Sequence, residues 1–160
     1  MRNKFVILFV FLMIAGCSEE KIHSEAQGEW ALINKIEIEK WNKETILSSL
    51  GTPDDIVVDE KQNLIFLIYN YPQSNHQKWS FEISKAGDLR NITFIPNDSN
   101  RKNFSSDKLN LKWSGCVKKK STDASQHFIR YIYSLECGEK HKAYMNKNEE
   151  VTSISIEISV

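Results

Sequence analysis

The chain has 160 residues, 41% hydrophobic and 26% charged, with 21 basic against 21 acidic residues. That is enough for one domain or two very small ones, and aromatics at 11% allow a packed core, which excludes wholesale disorder. Balanced charge gives no basic surplus for the phosphates of a nucleic acid, and 6 Gly with 3 Pro exclude a collagen-like or linker-like chain.

Chain order begins with a short basic head, Met1-Arg2-Asn3-Lys4, and an unbroken apolar run from Phe5 to Ala15. At 1.5 Å per residue the run spans about 17 Å, well short of a bilayer core, so it reads as a secretory signal and not as a membrane span. Its end, Ile14-Ala15-Gly16-Cys17, resembles the lipobox of bacterial lipoproteins. That resemblance implies cleavage after residue 16, lipidation of Cys17, and a membrane partner reached through the anchor. Ser18 after the cysteine resembles the outer-membrane-directed class, with the mature chain facing the periplasm.

Removing residues 1–16 takes away Arg2 and Lys4 and no acid, so the mature chain is slightly acidic. With Cys17 committed to lipid, Cys116 and Cys137 remain. In an oxidising compartment an even pair reads as a disulfide, closing a loop of about 20 residues worth roughly 3 kcal/mol. Free thiols stay open as an alternative. So does zinc with His127 and His141, although the spacing matches no compact finger.

The polar stretch within 17–27 reads as a tether between lipid and body. Trp30, Leu32, Ile33 and Ile36 have helical spacing, and Ile36-Glu37-Ile38 alternates, so a helix is expected to about Ile36 with an irregular turn after it. Asn42 can cap the next helix, Lys43 to Leu50, which sets Ile46, Leu47 and Leu50 on one face before Gly51 ends it. Thr52-Pro53-Asp54-Asp55 reads as a break and turn. Leu64 to Tyr71, the alternating Trp79, Phe81 and Ile83, and Leu89 to Ile95 read as three strands, with a turn at Lys85–Asp88.

Residues 104–160 repeat part of this pattern. At one constant shift Phe66 falls on Phe128, Tyr69 on Tyr131, Leu89 on Val151 and Ile92 on Ile154. A second three-stranded meander follows from this, as a candidate degenerate repeat. In Ser106 to Ser114, alternation of Leu109, Leu111 and Trp113 favours a strand, whereas a repeat would place a short helix there.

Gln27-Gly28, the run from Trp41 to Leu50-Gly51-Thr52-Pro53, the strand-final Tyr69 and Tyr71, and Gly87-Asp88-Leu89-Arg90-Asn91-Ile92 together resemble the SmpA/OmlA (BamE-like) family of outer-membrane lipoproteins, over residues 27–96. The resemblance implies an α+β fold, a short helical pair packed on an antiparallel sheet, in a unit at 28–98. The second meander, at 104–160, would then carry the disulfide. Tandem copies of such a unit are similar to β-lactamase-inhibitor-protein-like folds.

Catalytic patterns are missing from the sequence: no Gly-x-Ser-x-Gly elbow, no His-Glu-x-x-His, no phosphate-binding glycine loop. His23, His76, His127 and His141 stand isolated. Asp54-Asp55 and Asp59-Glu60 are paired acids without EF-hand spacing and read as solvated turn residues. Lys118-Lys119-Lys120, with Lys112 nearby, reads either as a solvated loop or as a contact for anionic headgroups. Trp30 and Trp41 flank the first helix and are candidate partner-binding residues, with core positions as the competing reading. The expectation is a non-catalytic, cofactor-free, lipid-anchored envelope protein that binds a protein partner and supports outer-membrane assembly or integrity. A protein inhibitor of a periplasmic or host enzyme is the alternative.

Overall fold

The computed structural model describes residues 17–72, 77–125 and 128–158. The expected signal segment, residues 1–16, and His76 and His127 lie outside the described residues.

Helix α1 spans Cys17–Glu39 and α2 spans Lys43–Leu50. Strands β1 (Asp55–Asp59), β2 (Leu64–Asn70), β3 (Gln77–Ser84) and β4 (Leu89–Phe94) follow. A 3-10 turn at Arg101–Phe104 and helix α3 (Ser106–Lys112) lead to β5 (Cys116–Ser125), β6 (Phe128–Cys137), β7 (His141–Met145) and β8 (Val151–Glu157).

Local signals account for several of these boundaries. The Asn42 side chain accepts the Thr45 N–H at 2.9 Å and the Thr45 hydroxyl at 2.8 Å, supplying one of the bonds an N-terminal turn lacks. Gly51 closes α2 at φ +81°, a conformation that strains residues with a Cβ, and its N–H reaches the Leu47 carbonyl.

The eight strands form a single antiparallel sheet in the order β1-β2-β3-β4-β8-β7-β6-β5. This corrects the expected helical pair on a small sheet followed by a separate three-stranded meander. Each half contributes four strands, and β4 pairs with β8 through Asn91–Glu157, Ile92–Ile156, Thr93–Ser155 and Phe94–Ile154. The last strand in chain order of each half closes the seam, because each would otherwise leave a row of backbone donors and acceptors unpaired beside an apolar face.

Other differences have local causes. The Ile56-Val57-Val58 strand was hidden by the acids at its ends, which read as turn. Ser106–Lys112 is helical because Leu109 and Trp113, four apart, both reach the core, while Leu111 is 87% exposed. Helix α1 continues to Glu39, burying Ile36 and leaving Ile38 out. Its backbone is already helical at Cys17, where a flexible tether was expected; no Pro or Gly lies between Cys17 and Gly28. The lysine triplet at 118–120 lies in β5 and not in a loop.

Strand register sorts the side chains into two faces. One row runs Ile56, Leu67, Phe81, Ile92, Ile156, His141, Cys137, Cys116 across all eight strands. This row faces the helices, whose Ile33, Ile36, Ile46 and Leu109 are fully buried in the same core. Rings tie that core together: Trp30 lies 5.1 Å from Phe104 and 5.5 Å from Trp113, Phe104 lies 5.0 Å from Phe94, and Phe94 lies 4.6 Å from Trp79. Glu29, only 4% exposed, is ion-paired at 2.9 Å with Lys78, fixing α1 against β3.

Candidate functional site

The neighbouring row, one residue along each strand, is Asp55, Ile68, Ser80, Thr93, Ser155, Lys142, Glu136, Val117. Because side chains alternate across a strand, this row points away from the helices. Among the described residues no helix covers this face, so it is open along the whole width of the sheet, including the β4–β8 seam.

The seam carries a hollow of about 740 Å³. Glu82, Arg90, Asn91, Lys142, Ser155 and Glu157 are among its lining residues. The Ser155 hydroxyl donates to Asn91 Oδ1 at 3.0 Å, linking β8 to β4. Beyond the hollow, Glu136 accepts from Lys119 and, at 3.2 Å, from Lys142. The Lys119 hydrogen bond, with the Lys142 one behind it, holds the Glu136 carboxyl below its ordinary range, and the Glu136 bond raises Lys142. Lys142 also lies over the Tyr144 ring at 5.2 Å. On the other side of the hollow, β2 offers half-buried Leu64, Phe66 and Ile68. The face is therefore polar and of mixed sign over β3 to β7, with an apolar border at β2. It can make many directional contacts to a broad surface, and Glu136 is already partnered by Lys119 and Lys142.

The expected site residues fall elsewhere. Cys116 and Cys137 are register partners at the ends of β5 and β6 and form a disulfide. Both sulfurs are therefore committed, which removes the free-thiol and zinc readings. His141 instead stacks on Trp113 at 4.4 Å and meets Glu37 of α1 at 2.6 Å, a contact between the helix layer and β7. Among the described residues no cluster of three or more His, Cys, Asp or Glu has the geometry of a metal site. Trp41 is 3% exposed in the core, with its indole N–H on Glu39 at 2.9 Å, so it is not available to a partner. Trp30 is half-buried between Phe104 and Trp113, with Lys112 over its ring. Cys17 is the first residue of α1. Among the described residues no helix is long and apolar enough to cross a membrane.

Sequence reading did not find the open face. Its signal was present in the polar alternates of β3 and β8, Ser80, Glu82, Ser153 and Ser155, but their meeting across the seam is a matter of pairing, which alternation does not encode.

Comparison with protein-family models gives no match, and comparison with curated proteins gives none. Among solved structures the chain is similar to a DUF4309 family protein (YjgB) from Bacillus subtilis subsp. subtilis str. 168. The likeness has 11% identity and a TM-score of 0.47, over 75% of this chain and 80% of that one.

Proposed function

We propose that this is a lipid-anchored, non-catalytic envelope protein that binds another protein across the open face of its sheet, in support of outer-membrane assembly or integrity. The observation that carries the reading is the row from Asp55 to Val117, uncovered across eight strands and hollowed at the seam. A sheet with one packed and one solvated face needs only a polar alternation on the outside. Here that outside adds half-buried Phe66 and Ile68, a Tyr and a pre-formed charge network, the composition of a contact surface. Anchorage comes from the lipobox-like Ile14-Ala15-Gly16-Cys17. The helical stretch from Cys17 to buried Glu29 rises about 18 Å and would hold the sheet clear of the headgroups.

A second reading, a protein inhibitor of a periplasmic or host enzyme, is favoured by one specific feature. The β4–β8 seam makes both halves into one face, as a blocking surface drawn from the whole chain requires.

Photocrosslinking side chains placed at Ser80, Thr93 and Ser155 test the face, with exposed Ser48 on α2 as the control. The expected result is capture of one protein from the three sheet positions and none from Ser48. A membrane-embedded species supports the assembly role and a soluble enzyme the inhibitor role. Capture from Ser48 with none from the sheet would end both. The anchor has its own test: Cys17→Ala is expected to abolish labelling by a palmitate analogue and release the protein from membranes. Undiminished label in that variant would remove the anchor from the reading.

A further inference from the structure

The two edges of the sheet are built differently. At one edge, β5 carries Lys118, Lys119 and Lys120 in succession, all exposed, and lysine on an edge strand discourages pairing with another chain. At the other edge, β1 carries no lysine. Its Ile56, Val57 and Val58 are 55%, 44% and 49% exposed. The Ile56 N–H is taken at 2.8 Å by Oδ1 of Asp55 and not by β2, so the backbone of Ile56 turns to the outer edge, and by alternation that of Val58 does too. The N–H and C=O of Val58 and the C=O of Ile56 thus face the side on which the sheet has no further strand among the described residues.

Carboxylates stand at both ends of this apolar segment. Lys85 neutralises Glu60 at 2.6 Å. Asp54, Asp55 and Asp59 are held instead by backbone N–H groups, of Asn70, Ile56, and Lys61 with Gln62 respectively. Lys61 is the one cation in the adjoining turn. A second copy of this chain is a poor occupant: antiparallel pairing centred on Val57 sets Asp55 opposite Asp59 of the other copy, and like charges directly opposite destabilise a ladder.

We infer that the free edge of β1 is a docking site for an extended peptide segment, β-branched in its middle and basic at its ends, which adds to the sheet as a further strand. Main-chain hydrogen bonds supply affinity, and the flanking aspartates supply selection. A strand of five residues buries little surface, so the contact is weak and reversible. The site shares Asp55 with the end of the open-face row but is built on the strand's outer edge, and it stands whether or not that face binds a protein.

The probe is a fluorescent synthetic peptide of alternating Val and Thr with lysines at both ends, titrated into the whole protein and followed by anisotropy and by amide NMR shifts. Saturable binding is expected, with shifts concentrated on Asp55–Asp59. The same peptide ended in glutamates should bind about tenfold more weakly or worse, from the loss of two exposed ion pairs and their replacement by repulsions. Backbone N-methylation of the peptide should remove binding. Val58→Pro deletes the outward donor at an edge position that tolerates proline and should also abolish binding while the melting temperature stays within a few degrees. Because that variant could unfold, a second one carries the test: Asp55→Lys with Asp59→Lys should reverse the preference, gaining affinity for the glutamate-ended peptide. The inference is overturned by absence of saturable binding, by equal binding of both peptides, by full binding of the N-methylated peptide, or by shifts confined to β5 or the open face.

Discussion

Phe94→Ala is expected to lower unfolding free energy by about 3–5 kcal/mol, the range for deleting a fully buried aromatic ring. Phe94 is 0% exposed on β4, at the junction of everything that makes this chain one body. Its ring meets Trp79 on β3 at 4.6 Å and Phe104 from the 3-10 turn at 5.0 Å, and its backbone pairs across the seam with Ile154. Removing it leaves a cavity where its contacts with Trp79, Phe104 and the β8 seam converge. A fall of roughly 10 °C or more in melting temperature should accompany the loss. The measurement is urea unfolding followed by both tryptophan fluorescence and far-ultraviolet circular dichroism. One coincident transition shifted to lower urea supports a single cooperative sheet. Two separated transitions would mean that the halves fold independently and that the seam contributes little.

Loss of the Cys116–Cys137 disulfide is expected to cost about 3 kcal/mol, through the greater freedom of the unfolded chain when a loop of this length is opened. The bridge joins the first residue of β5 to the last of β6, so it pins the register of the long edge hairpin at the end nearest the core. Cys137 is 2% exposed beside Trp113 and His141, whereas β5 is exposed along Val117–Thr122. Hydrogen–deuterium exchange on a Cys116→Ala, Cys137→Ala double variant should therefore show accelerated exchange in β5 and β6, with β2 and β3 little changed. Thiol alkylation of the denatured, unreduced protein should modify neither cysteine. An unchanged urea midpoint in the double variant would show that the strand ladder alone holds the hairpin.

Much of the local structure was legible because it depends on neighbours in sequence. Asn42 and Gly51 bracket α2 through a side-chain acceptor and a left-handed residue, both properties of single amino acids. The strands at β2, β3 and β4 followed from runs and alternation of apolar residues, and the cysteine pair from the expected compartment and parity. Where two periodicities compete, local reading failed. Leu109, Leu111 and Trp113 alternate, yet Leu109 and Trp113 also lie four apart, and only the presence of a core on one side decided for the helix. In β1 the aspartates that end the strand resembled those that make a turn. Trp41 and Trp30, equally suited to a core or a surface, were assigned only by what packs around them.

What the sequence by itself determined is the set of elements that each residue's nearest neighbours can build and the face of each strand that is apolar. What the tertiary structure alone decided is which strands share an edge. Backbone hydrogen bonds are the same for any pair of strands, so no side-chain pattern marks β4 as the neighbour of β8. That pairing turned two meanders into one sheet and brought Glu82, Asn91, Ser155 and Lys142 into one hollow. It also left β1 and β5 as the outer edges.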